Sequence, residues 1–194
     1  MKIAFDLDGV IAESYPAIRK DLFDRYGHDI EPTQTTYDIK VPEISADEVT
    51  RSIRECLFRD SGAILPYPKV TEALWEICRM TALPISIITA RDKELMTVTW
   101  NWVWRNNKRL PICLYFFPCK EKVQVMKNLK VDAWVDDRLA TANEAAEGIK
   151  TVFLVNRKWN IGRPTLSNVY RVDDLSRVTS FVKGACIAEG QDGE

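Results

Sequence analysis

The chain has a single histidine among its 194 residues, so a multi-histidine metal site cannot be built from it, and the loop position of that residue excludes a histidine-based triad. That residue, His28, follows Gly27 in what reads as a surface loop. The five cysteines (Cys56, Cys78, Cys113, Cys119 and Cys186) are odd in number and lack any CxxC pair, which excludes a zinc-ribbon or dithiol redox motif. Long apolar runs are also missing. The stretch 83–90 is interrupted by Pro84, Ser86 and Thr89 and falls far below the roughly 20 residues a membrane-spanning helix needs. The run after Met1 meets Asp6 too soon for a signal-peptide core. Excess charge of one sign is absent as well: 27 basic and 28 acidic side chains are interspersed and leave a net charge of −1. No polyanion-binding surface is advertised, so duplex nucleic acid is not expected as a partner. These absences predict a soluble cytoplasmic protein with reduced thiols and no membrane partner.

What is present is a regular alternation. Apolar runs of strand length lie at 2–5, 85–88, 113–117, 133–135 and 151–155, with a further edge candidate at 169–172. Segments of helical period separate them at 92–106, 121–129, 140–148 and 173–183. This is the mark of an α/β fold, a Rossmann-like parallel sheet with flanking helices. About 80 residues separate the first two runs, far more than one crossover helix requires. A small helical cap inserted after the first strand accounts for them. Its helices begin at Tyr15, at Ser45, where Glu48 three residues on forms a capping box, and near Val70. The expected division is a core of 1–12 and 82–183, a cap of 13–81, and a flexible tail of 184–194.

The first run ends in Asp6-Leu7-Asp8-Gly9, placing two carboxylates at the carboxyl end of a parallel strand, where such sheets bind ligands. Like charges this close call for a compensating cation, and one carboxylate can then serve as nucleophile while the other handles a proton. Two other runs end in Thr89-Ala90-Arg91 and Asp136-Asp137-Arg138 at the same edge. Thr89 can donate to a phosphate oxygen, and Asp136 can join Asp6 on a hard cation that prefers oxygen ligands. A lysine, either Lys122 or Lys120, can reach a phosphoryl oxygen, and spacing favours Lys122.

The order DxDGV, apolar strand ending in Thr, Lys, apolar strand ending in Asp-Asp resembles the haloacid dehalogenase (HAD) superfamily of phosphatases. That resemblance implies a phosphomonoester hydrolase in which Asp6 forms an aspartyl phosphate and Asp8 protonates the leaving group, then activates water. It also implies Mg2+ held by the Asp6 carboxylate, the Asp8 backbone carbonyl and Asp136, with Asp137 and Arg91 close behind. Thr89, Ala90 and Lys122 would hold the phosphoryl group. The cap and the endings Thr-Ala-Arg and Val-Asp-Asp-Arg resemble the 5′-nucleotidase (deoxyribonucleotidase) branch, implying a small phosphorylated metabolite, a nucleoside 5′-monophosphate, as substrate. Asp-Asp-Arg after a lysine also looks like the 3′-phosphatase half of polynucleotide kinase, and a phosphatase for another small ester or a non-catalytic scaffold are further alternatives.

For a nucleotide, cap aromatics that could stack on the base are Tyr15, Tyr37, Phe58 and Tyr67, with Tyr15 and Tyr67 preferred. Trp159-Asn160 follows the strand ending at Val155 and is either near the substrate or a loop anchor. Trp100 and Trp104 share one helix face opposite Trp102, and an exposed pair would suit a homodimer contact.

Overall fold

The computed structural model describes residues 1–30, 39–107 and 109–191; Tyr37 lies outside them. Six parallel strands form one sheet: β1 (Ile3–Phe5), β4 (Ile85–Thr89), β5 (Ile112–Phe116), β6 (Ala133–Asp136), β7 (Thr151–Val155) and β8 (Val169–Val172), in the order β5-β4-β1-β6-β7-β8. β1 pairs with β4 on one side and β6 on the other, with Phe5 opposite Ile87 and Val135. The strand order therefore reverses at β1, and the carboxyl ends of β1, β4 and β6 open onto one crevice. Strands β1, β4, β6 and β7 are buried along their whole length, so continuous rather than alternating apolar runs specify them.

A turn after β1 leads into a two-residue strand β2 (Ala12–Glu13), which pairs antiparallel with β3 (Leu65–Pro66). This ribbon ties together the two ends of the excursion containing α1 (Tyr15–Tyr26) and α2 (Ala46–Arg59). Helix α1 carries Pro16 in its first turn and stops at Gly27, whose φ of 71° is the left-handed conformation glycine adopts without strain. Ser45 caps α2 by accepting from the Glu48 amide at 3.2 Å, as its sequence motif predicts. The two cap helices are laced by Arg59 of α2 pairing with the buried Asp21 of α1, by Arg25 of α1 pairing with Glu55 of α2 at 2.7 Å, and by Tyr26 Oη to Ser52 Oγ at 2.7 Å.

Helix α3 (Val70–Thr81), expected as the third cap helix, lies with the core instead. Its Val70, Leu74 and Ile77 belong to an apolar cluster that takes in both Leu22 and Val49 of the cap helices and Val178 and Val182, and what sets it with the core is its packing against the carboxyl-terminal helix. Its partner α7 (Leu175–Gln191) is longer than the sequence pattern indicates. Residues 184–191, read as a tail, continue this helix, and Cys186 packs half-buried against the core beside the Met80 carbonyl. The remaining helices are α4 (Met96–Asn106), α5 (Lys122–Asn128) and α6 (Leu139–Ala146), and single 3-10 turns at Lys93–Leu95 and Cys119–Glu121 lead into the first two. In α4, Trp102 is wholly buried while Trp100 and Trp104 are exposed, as helical spacing requires. None of the five cysteines forms a disulfide. No helix among the described residues is long and apolar enough to cross a membrane.

Candidate active site

Asp6 leaves the end of β1 with its Oδ1 accepting from the Leu7 amide at 2.7 Å and pairing with Lys122 Nζ at 2.7 Å. Lys122 is buried at the start of α5, with its ammonium 5.6 Å from the centre of the Trp134 ring. Lys120 is exposed on the preceding turn. The structure thus separates the two lysines that spacing left open, since residues two apart at a helix start point to different sides.

Asp8 is gripped by a bidentate fork, Arg91 Nε to Oδ2 at 2.8 Å and Nη2 to Oδ1 at 2.7 Å. Arg91 also donates to Thr99 on α4 at 3.3 Å, so a core helix steadies the fork. Between the two acids and β2 the chain turns sharply, and Gly9 takes φ 80°. A Cβ on Gly9 would lie 2.0 Å from Asp137 Oδ2, so glycine is required here on two counts: backbone conformation and room for the carboxylate. Arg157 holds this turn from behind by donating to the Gly9 carbonyl at 2.8 Å, with its guanidinium carbon over the Tyr67 ring, 3.8 Å from the ring centre.

Asp136 ends β6. It accepts from Trp134 Nε1 at 2.8 Å, a side chain two residues earlier and therefore on the same face of the strand, and from the Arg138 amide at 2.8 Å. Asp137 accepts from Trp159 Nε1 at 2.9 Å, and Asn160 Nδ2 donates to its carbonyl at 2.7 Å. Trp159 and Asn160 are therefore buried anchors of Asp137. The structure brings Asp6, Asp136 and Asp137 together with one oxygen of each within 4.8 Å of the others. Thr89 is buried below the crevice, its Oγ1 accepting from the Arg91 amide at 3.2 Å, while Ala90 and Arg91 line the opening.

The charges in this crevice are unequal. Lys122 faces Asp6 and Arg91 faces Asp8, but Asp136 and Asp137 meet only neutral donors among the described residues. Burial pushes the Asp6 carboxyl up to about 7, with Lys122 opposing the rise and Asp136 adding to it. Burial, with Asp136 and Asp6 adding repulsion, holds Asp137 well above the usual carboxylate range. At Asp8 burial pulls upward too, but the Arg91 charge and hydrogen bonds, aided by the Ser14 hydroxyl and Lys122, outweigh it and leave the group below its usual value. A divalent cation with oxygen ligands fits this set: three clustered carboxylates, an excess of negative charge, and a glycine where any side chain would intrude.

These shifts predict a pH dependence. Asp6 binds its proton more tightly folded than unfolded, so its contribution to stability is complete below about pH 4 and is lost as pH rises through about 7, and Asp137, raised as well, acts in the same direction. Asp8, shifted down, and Lys122, shifted up, act outside that window. With a chelator present, the melting midpoint at pH 5.5 should exceed that at pH 8 by on the order of 5 °C. Scanning calorimetry at the two pH values checks this; a midpoint that climbs toward pH 8 would contradict the raised carboxyls.

The cavity over these residues measures about 280 Å³, at the small end for a ligand site. Its cap wall is Ser14, Ile18, Thr50, Ile53, Arg54 and Leu57. Tyr15 and Tyr67 are not on it. Both line a separate cavity of about 700 Å³ on the far side of the Gly9 turn, where Tyr15 packs on Trp159 with ring centres 5.6 Å apart and its hydroxyl donates to the Ile30 carbonyl. Phe58, on α2, is exposed and also absent from the wall. Sequence reasoning looked for rings and missed these smaller residues. The heptad-like spacing of Thr50, Ile53, Arg54 and Leu57 on the amphipathic α2 was the signal that could have found them.

No family model matches the sequence, and no curated protein matches it. Solved structures do. A variant of CbbY from Rhodobacter sphaeroides in complex with xylulose-1,5-bisphosphate has a TM-score of 0.60 at 13% identity, over 90% of this chain and 94% of that one. A predicted phosphoglycolate phosphatase from Haemophilus somnus gives 0.62 at 13% identity, over 93% and 96%. A HAD-superfamily hydrolase from Ehrlichia chaffeensis gives 0.55 at 10% identity, over 94% and 96%. At these identities the likeness is one of architecture, and this chain has the α/β fold of HAD-superfamily hydrolases.

Proposed function

We propose that the chain is a Mg2+-dependent phosphomonoester hydrolase that works through an aspartyl phosphate on Asp6 and acts on a small phosphate ester. The observation that carries this reading is the Asp6–Lys122 contact inside the Asp6, Asp136, Asp137 cluster, at the point where the strand order reverses. Asp6 is the nucleophile because its Oδ1 is fixed by the Leu7 amide and Lys122, which leaves the other oxygen to face the crevice. Lys122 neutralises charge on the phosphoryl oxygens and the Ala90 edge borders the same space, while Thr89 lies beneath it with its Oγ1 on the Arg91 amide. The Asp6 and Asp136 carboxylates and the Asp8 carbonyl, with Asp137 beside them, would hold Mg2+, which supplies Lewis-acid stabilisation of phosphoryl oxygens when bound.

Asp8 is the proton-handling group. Arg91 holds it ionised in the resting state, which is the form that takes a proton from attacking water in the second half-reaction. Donation to the leaving oxygen in the first half requires Asp8 to be protonated and one tooth of the Arg91 fork to open.

A small ester suits the cavity better than a nucleotide. The nucleoside 5′-monophosphate reading depends on base stacking, and the described wall offers Ile18, Ile53, Leu57 and Leu95 in place of an aromatic ring. The xylulose-1,5-bisphosphate and phosphoglycolate named for the structural neighbours are esters of this smaller kind. A Mg2+-dependent hydrolysis panel tests the reading: an aryl phosphate, sugar phosphates, phosphorylated hydroxy acids, nucleoside 5′- and 3′-monophosphates and a 3′-phosphorylated oligonucleotide. A small ester should exceed every nucleotide by about tenfold or more in kcat/KM, a factor that corresponds to about 1.4 kcal/mol of transition-state binding. A nucleotide at the head of the ranking restores the nucleotidase reading. No hydrolysis of any ester removes the phosphatase reading altogether.

A further inference from the structure

Four cationic side chains stand on the wall of the 280 Å³ cavity: Arg54, Arg91, Lys122 and Arg138. Three of them are committed. Lys122 pairs with Asp6, Arg91 with both oxygens of Asp8, and Arg54 with Asp92 at 2.6 Å and Glu94 at 3.5 Å. Arg138 differs from these. It makes no ion pair among the described residues, its Nη1 rests 3.2 Å from the Cys119 sulfur, and its Nε is closed off from water with no acceptor at all. A thiol is a weak acceptor for a guanidinium, so in this partly buried group Nε has given up hydration without receiving an anion in exchange. Its backbone is fixed at the N-cap position of α6, where its amide donates to Asp136 Oδ1 at 2.8 Å.

We propose that Arg138 is a specificity-determining residue that pairs with a second acidic group, carboxylate or phosphate, on the substrate whose phosphoryl group meets Asp6. The planar guanidinium suits a two-oxygen acid group, which it can engage through parallel hydrogen bonds. The small cavity and the apolar side chains facing it from the cap limit the spacer between the two acidic ends to a short, weakly polar one. The inference rests on the phosphatase reading above and narrows its substrate class to short phosphorylated acids and short bisphosphates.

Binding of non-hydrolysable phosphonates separates the two. Calorimetry on the full chain with Mg2+ would compare 3-phosphonopropionate, its neutral amide, propane-1,3-bisphosphonate and inorganic phosphate, for wild type, Arg138→Ala and Arg138→Lys. In the wild type the acid or the bisphosphonate should bind about tenfold to a hundredfold more tightly than the amide, the range of a charge-assisted pair. Whichever leads identifies the second group as carboxylate or phosphate. Arg138→Ala should erase the preference, Arg138→Lys should keep part of it, and inorganic phosphate should bind all three proteins alike. Equal affinity for acid, bisphosphonate and amide in the wild type, which needs no variant to fold, overturns the inference and leaves the phosphatase reading standing. So does a matching loss of inorganic phosphate affinity in Arg138→Ala, since Arg138 would then serve the transferred phosphoryl group. Absence of any phosphonate or phosphate binding to the wild type fails the underlying reading first.

Discussion

Replacing Asp6 with Asn should leave a folded protein whose turnover falls by at least about a thousandfold, the scale of losing a nucleophile that acts as part of a unit. The amide is nearly isosteric, so the Leu7 amide and Lys122 still find an oxygen to meet. It is also neutral. Because Asp6 carries a raised carboxyl that burial disfavours as an anion, the substitution removes a cost from the metal-free protein. The variant is therefore expected to melt at or above the wild-type temperature at pH 8 in chelator while turnover is lost. The pair of measurements is diagnostic: inactivity caused by misfolding would bring the melting point down with it. Turnover within tenfold of wild type would end the covalent mechanism, whatever the stability.

Much of this site is legible in the sequence because chemistry and strand position coincide. Asp6, Thr89 and Asp136 each end an apolar run, and parallel strands bring such ends to one edge. The lysine needed structure to decide, since Lys120 and Lys122 are equivalent in composition and only the helix start at Lys122 turns one inward. The cap was harder. Its closure depends on a ribbon of two-residue strands, Ala12–Glu13 with Leu65–Pro66, too short to leave any periodic pattern. Without that closure visible, α3 reads as cap, and Tyr67, one residue beyond the ribbon, reads as facing the substrate. In the structure it supports Arg157 behind the Gly9 turn. The end of α7 is the opposite case. Gly184 and Gly190 lower local helix propensity enough to suggest a tail, yet the helix runs on to Gln191, with Cys186 packed against the core beside the Met80 carbonyl of α3.

The charge on Lys122 is the second group whose loss should be large, and its effect should itself depend on pH. Lys122 is buried, and its ammonium serves the Asp6 carboxylate at 2.7 Å with the Trp134 ring alongside. Lys122→Met keeps the length and apolar stem but removes the charge. Two consequences follow. In catalysis the phosphoryl oxygens lose a preorganised cation, and kcat/KM should drop by about a hundredfold to a thousandfold, as when one donor to a developing oxyanion is removed. In the metal-free protein at pH 8, Asp6 is left among Asp8, Asp136 and Asp137 without its partner, a loss on the scale of about 3 to 5 kcal/mol for breaking a buried pair. At pH 5 the same substitution should cost much less, because the raised Asp6 carboxyl is already protonated there and no anion is stranded. Denaturant unfolding of wild type and variant at the two pH values, with chelator present, reads the difference directly. An equal loss of stability at pH 5 and pH 8 would mean that Lys122 contributes through packing, and that its ammonium is not what holds the Asp6 carboxylate ready for attack.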